Sequence, residues 1–320
     1  METPESLSWE EQVALLKEQG MEIYDSDAET LKQISYYRIK EFAEPLAQRY
    51  NGTIHYEGIS FAKVIERYYQ DKNLRIHLLH AIEQVETALK TKIAYILGKR
   101  YGAYGYLNFY KWANRSKYTD FYIEEKQYKF KKKLKETVKR SSLPDIRYRQ
   151  NQNKDGFPTV WLAIDSLMFG GLTTIISIMG KRNLIPLANY FHCTGKELVS
   201  WVRMLNFIRN VCAHGANLID IRLKTVPLIR TEWKKYLFSD SANDGENENY
   251  KRLGTVIFVL ITLVNSINEK YRWNEIQRNI NTICNHRLED ANLLGFRDAQ
   301  QSLKIKKCAK ELQHSKTKSA

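Results

Sequence analysis

The chain has 320 residues, of which 43% are hydrophobic and 27% charged, and its formal net charge is +14. Its 15 Gly and 6 Pro are too few for the tight turns of an all-β fold. No run of about 18 apolar residues offers a membrane span. Four irregularly spaced cysteines, Cys193, Cys212, Cys284 and Cys308, do not make a disulfide scaffold and fit a reducing cytoplasm. The excess of cations points to a polyanionic partner, nucleic acid or an anionic membrane surface.

The opening residues M-E-T-P-E-S-L have neither a basic n-region nor an apolar h-region, so no signal peptide is expected. Ser8–Gly20 reads as a short helix, with Ser8 as N-cap, Glu11 three residues on and Gly20 at C′. A second short helix is expected from about Asp27, with Leu31, Ile34 and Tyr37 on one face. It runs into Ile34–Phe42, and Pro45 disturbs the stretch after it. Asn51-Gly52 marks a turn. Phe61–Asp71 and about Lys72–Lys99 read as two helical segments, the second with Leu74, Leu78, Ile82, Val85, Leu89, Ile93 and Ile96 in an apolar stripe. Glu83, Glu86, Lys90 and Lys99 fall outside that stripe, and Glu86 can pair with Lys90.

Lys126–Arg140 holds eight basic residues and one acidic one. This stretch is either a solvated helix or flexible insert, or a patch that holds a phosphate backbone through Lys126, Lys129, Lys131, Lys132, Lys133, Lys135, Lys139 and Arg140. The interleaved Tyr128 and Phe130 would then stack on bases. Thr159–Met179 is apolar around Gly170-Gly171, which lacks the Lys-Ser/Thr of a phosphate loop. Leu184–Phe191 is a short helix or turn. Ser239–Asn249 reads as a polar linker, and Gly254–Trp273 as a core helix. Lys304–Lys318 carries six lysines against one glutamate and is expected to be a frayed helix or a disordered basic arm.

Thr194–His214 holds the strongest candidate site. Thr194 and Glu197 have capping-box spacing. Leu198, Trp201, Val202, Leu205, Ile208 and Cys212 form an apolar stripe, and the helix ends on Arg209, Asn210 and His214, followed by Gly215. Arginine is a fixed cation whose fork matches a phosphate, and histidine exchanges a proton near neutral pH. On one straight helix, however, five positions set Arg209 and His214 about 140° apart. Arg209 then flanks the apolar face, while His214 joins Arg203, Asn206 and Asn210 on the polar one. The pair converges only through a helix end near Ala213–Gly215 or through a second subunit. The pairs His192-Cys193, Cys212/His214 and Cys284/His286 lack zinc-ligand spacing, so no metal and no cofactor is expected.

Ile34–Phe42, Ser60–Arg75, Ile82–Ala94, Tyr101–Leu107 and Leu198–His214 together resemble the AbiD/AbiF-type abortive-infection proteins, a bacterial phage-defence family with a HEPN-type RNase domain. The last block carries the family's R-N-x-x-x-H signature as Arg209, Asn210 and His214. The resemblance implies an all-α, HEPN-like helical bundle. Its parts would be an N-terminal helical extension (1–56), the bundle (57–290, with a basic insert at about 113–156) and a basic C-terminal tail (291–320). It further implies a cytoplasmic homodimer that cuts RNA without a metal by 2′-hydroxyl attack, with no role at a membrane. Arg209 would stabilise the phosphorane, His214 act as general acid or base, and Asn210 orient the histidine or hold the phosphate. Arg203 and the lysines of the insert would bind RNA. A cognate small noncoding RNA is implied as a regulatory partner, and the alternative is a non-catalytic module that holds such an RNA.

Overall fold

Ser8 caps the first helix as its spacing predicts: its Oγ accepts from Glu11 N at 3.2 Å, and Glu11 Oε2 accepts from Ser8 N at 2.6 Å. The computed structural model describes residues 5–239, 250–302 and 304–317. Helix α1 (Trp9–Glu18) ends at Gly20, whose φ of +88° suits glycine. The expected second helix is two: α2 (Ala28–Leu31) and α3 (Tyr36–Ala43). Leu31 and Ile34 are buried, but the break rotates Tyr37 out to solvent. Asn51 (φ +48°) and Gly52 (φ +81°) then turn a small hairpin of β1 (Gln48–Tyr50) and β2 (Thr53–His55). Two successive positive φ values match the twist of a two-residue hairpin, a consequence of Asn-Gly that the turn signal alone did not spell out. These elements close a first apolar core around Leu16, Leu31, Ile39, Phe42 and Tyr56, and Phe61 and Val64 of the next helix complete it.

That next helix, α4 (Phe61–Tyr101), is unbroken over 41 residues, where the sequence predicts two segments meeting near Asp71. Asp71 interrupts the apolar periodicity but not the backbone, because its buried side chain is fully partnered by Arg75 and two loop amides. At 1.5 Å per residue α4 spans about 60 Å and threads both cores, since Leu74 to Leu97 belong to the larger one. The Glu86–Lys90 pair forms at 3.0 Å.

The larger core gathers α5 (Asp120–Arg140), α6 (Val160–Asp165), α7 (Phe169–Ile178), α8 (Lys181–Tyr190), α9 (Gly195–Ala213) and α10 (Leu253–Ile267) around α4. Helix α10 is buried on nearly every side, as its unbroken apolar composition requires. Helices α11 (Asn274–Cys284), α12 (Leu288–Leu294), α13 (Ala299–Ser302) and α14 (Ile305–Thr317) complete the chain order. The expected frayed or disordered arm is α14: Ile305, Cys308, Ala309 and Leu312 are buried, and Asn265 Nδ2 of α10 donates to Ala309 O at 2.7 Å. An apolar stripe at helical spacing outweighs the lysines between its members. The expected linker, apart from Ser239, lies outside the described residues.

The fold is all-α apart from the hairpin among the described residues, and no described helix is long and apolar enough to cross a membrane.

Candidate active site

Helix α9 is fixed first at its N-terminus. Thr194 Oγ1 accepts from Glu197 N at 3.2 Å, and Glu197 Oε2 accepts from Thr194 N at 2.7 Å. Glu197 Oε1 also takes Arg230 Nε at 2.7 Å, while the guanidinium stacks 5.0 Å from the Trp201 ring centre. Burial lifts the Glu197 carboxyl, but the hydrogen bonds and charge of Arg230 and Thr194 outweigh it and hold the group below its ordinary value. A depressed carboxyl stabilises the fold above its unfolded value of 4.5 and loses that contribution as pH falls through the folded value. Glu197→Gln is therefore expected to cost about 1–2 kcal/mol at neutral pH and much less near pH 3, read by urea unfolding of both proteins at the two pH values.

The predicted stripe Leu198, Trp201, Val202, Leu205, Ile208 and Cys212 is buried throughout. Opposite it, Lys196, Arg203, Asn210, Ala213 and His214 are exposed, Asn206 is half-buried, and Arg209 lies half-buried at the edge. Among the described residues, none of the Arg209, Asn210 and His214 side chains has a hydrogen-bond or ion-pair partner. Burial pushes the Cys212 thiol up to about 12, so its sulfur stays protonated and belongs to the core. All four cysteines are buried thiols outside any disulfide, and among the described residues no three His, Cys, Asp or Glu side chains gather as metal ligands would.

The helix ends where the sequence places its end. His214 is the C-cap, its N–H donates to Asn210 O at 3.0 Å, and Gly215 turns left-handed at φ +72°. The break comes one residue too late to swing His214 toward Arg209. His214 keeps φ −92°, close to helical, so its Cβ still leaves the axis about 140° round from that of Arg209.

What the sequence reading missed is the clamp on the turn beyond His214. Asp71, fully buried on α4, accepts from Leu218 N and Ile219 N through Oδ1 at 2.8 and 2.9 Å, and from Arg75 Nε through Oδ2 at 2.6 Å. Burial raises the Asp71 carboxyl above its ordinary value, while Arg75 and the two amides pull it down. Beside it, Asp220 pairs with Arg67 at 2.5 Å, and Asn217 Nδ2 donates to Asp220 Oδ2 at 2.7 Å. Asn217 N donates to Glu41 Oε1 at 2.9 Å, and Glu41 Oε2 holds Arg38. The i,i+4 spacing of Asp71 and Arg75 was visible, but their reach to a loop some 147 residues away was not.

A Cβ on Gly215 would stand 3.2 Å from Arg75 Nη1. Gly215→Ala is expected to cost about 1–3 kcal/mol, because φ +72° strains any L side chain and the guanidinium must shift. Thermal unfolding of the variant checks this.

The predicted RNA contacts divide. Helix α5 is anchored by Ile123, Phe130 and Leu134 and leaves most of its cations in solvent, as the solvated-helix alternative has it. Phe130 packs 5.3 Å from Phe109 and cannot stack on a base, whereas Tyr128 is exposed. Lys126, Lys129 and Lys133 line a groove against α7 with Met168. That groove reaches Gly170, whose missing Cβ leaves room 3.5 Å from Asn206 Oδ1 on the polar face of α9. Lys131 and Lys135 face the other way, the latter over the Phe157 ring at 5.0 Å. Lys132, Lys139 and Arg140 project into solvent.

A family model described as Abi-like protein matches residues 29–220, while no curated protein and no solved structure matches the chain. The match opens in α2 and closes on Asp220, so it takes in Arg209–His214 and every member of the clamp around the turn. On that match the chain belongs to the Abi-like protein family.

Proposed function

We propose that this Abi-like protein is a HEPN ribonuclease of abortive infection, acting as a homodimer on RNA during phage attack. The observation that carries the reading is the end of α9. Arg209, Asn210 and His214 have no side-chain partners there among the described residues, while the backbone just beyond them is held by a buried carboxylate and two further ion pairs. Free polar groups on a rigid mount are what transition-state stabilisation requires. His214 exchanges the proton of the attacking 2′-hydroxyl or of the leaving oxygen, Arg209 meets the charge that develops on phosphorus, and Asn210 holds the phosphate. The divergence of Arg209 from His214 within one chain is met by a two-fold partner, which brings a second copy of each to a shared cleft. Purified protein is expected to degrade RNA in EDTA, and His214→Ala and Arg209→Ala to stop it. Equal cleavage by variants and wild type sinks the assignment.

A second reading is favoured by α5, whose exposed cations Lys129, Lys132, Lys133, Lys135, Lys139 and Arg140 surround much of the helix. Such a surface suits a structured RNA held by shape and phosphates, here a cognate small noncoding RNA that regulates the nuclease or is simply stored. Sequencing the RNA that copurifies with wild type and with His214→Ala separates the two. One defined RNA, retained by both and never cut, favours the non-catalytic module.

A further inference from the structure

A cavity of about 870 Å³ opens beside the N-terminal half of α9, bounded by α8, the end of α7, the segment at Asn114–Lys117 and Thr225–Pro227. It is the size of a small-molecule site. Its floor is apolar, with the buried thioethers of Met179 and Met204 and the side chain of Val226. Its rim carries Lys117, Lys181, Lys196 and Arg203, and no carboxylate lines it. Among the described residues, none of these four cations has an ion-pair partner, and Arg203 makes only a 3.2 Å hydrogen bond from Nε to Ser177 Oγ.

The occupant is therefore an anion with an apolar body. Two observations narrow it. Thioether sulfur makes favourable contacts with aromatic rings, and the lining also holds Thr225 and Asn114, whose Oδ1 accepts from Ser116 Oγ at 2.7 Å and whose amide NH2 is left to donate. The second is alignment. Lys196, Arg203 and Asn210 succeed one another at seven-residue steps, each about 10 Å along α9 and within about 20° of the last. The cavity thus opens on the same exposed face as Asn210 and His214, about two to five turns away.

We propose that this cavity receives one unpaired nucleotide of a single-stranded RNA, the base on the methionine floor and its phosphate on Lys196 and Arg203. The cavity then selects which nucleotide lies at a fixed distance from the bond presented to His214. This rests on the ribonuclease reading for its consequence, but not for its binding.

The test is equilibrium binding of fluorescent pentaribonucleotides of adenine, cytosine or uracil to full-length His214→Ala protein, which cannot cleave them on that reading. One base is expected to bind at least tenfold tighter than the poorest. Val199→Trp, which fills the cavity, is expected to reduce that ratio below threefold. Lys196→Glu, a solvent-exposed change, is expected to weaken all three about tenfold. Equal binding of all three bases, or a preference untouched in a Val199→Trp protein with the parent's circular dichroism and melting temperature, overturns the proposal. So does an unaltered affinity in Lys196→Glu, or displacement by an anionic detergent with no effect of RNA. A wild type that never cuts RNA yet keeps the base preference overturns only the nuclease reading. One that cuts without any preference overturns only the cavity.

Discussion

Alanine at position 214 is expected to lower RNA cleavage by about 10²- to 10⁴-fold, the usual contribution of a positioned acid or base. The same change leaves the fold intact, because the His214 side chain is exposed and only its backbone N–H, which donates to Asn210 O, caps α9. Arg209→Ala is expected to lose about 10²- to 10³-fold, the scale of removing one donor to a developing oxyanion. Single-turnover cleavage of a labelled RNA measures both. Because the two side chains diverge on one helix, the proposed dimer makes a sharper forecast. If each site joins Arg209 of one subunit to His214 of the other, mixing the two inactive variants regenerates one good site in every mixed dimer. Random pairing then restores about one quarter of the wild-type rate. No recovery, with subunit exchange verified, removes the shared-site geometry.

The largest effect on stability is expected at Asp71, far from Arg209 in sequence. Asp71→Asn keeps the size of the side chain and one carbonyl acceptor, so an amide of the Leu218–Ile219 turn can still be met. It removes the charge that faces Arg75, which is itself only 7% exposed. Stranding one half of a buried pair costs about 3–5 kcal/mol, against about 5–15 kcal/mol for a whole domain. Urea unfolding at neutral pH reads the loss. A cost under about 1 kcal/mol, the scale of an exposed pair, contradicts the role of Asp71 as the clamp. Asp71→Asn is further expected to weaken cleavage more than an equally destabilising core change such as Ile280→Ala, because Asp71 holds the turn that succeeds His214.

Legibility in the sequence tracked the range of the interactions. The caps at Ser8 and Thr194, the end of α9 at Gly215 and the Glu86–Lys90 pair are decided within four residues, and all lie where local rules put them. The buried stripe of α9 and the burial of α10 stem from periodicity and composition. The resemblance blocks pointed to Arg209, Asn210 and His214, and the helix geometry correctly set Arg209 at the edge of the apolar face. Where an apolar pattern was masked by charge, the reading erred. Asp71 interrupts the apolar pattern without ending the helix, the lysines of α14 conceal the buried Ile305, Cys308, Ala309 and Leu312, and Phe130 is core despite its lysine neighbours.

The sequence by itself therefore determined the helical class, the capped helix α9 and the cluster of chemistry at its end, because each is written in neighbours three or four positions apart. Only the tertiary structure decided what that cluster rests on. A carboxylate at position 71 meets amides at 218 and 219 because α4 passes under the turn, and that crossing is set by the packing of two cores rather than by any local rule. The same packing holds the backbone just beyond His214, whereas the helix break itself is set locally at Gly215 and leaves Arg209 and His214 of one chain diverging.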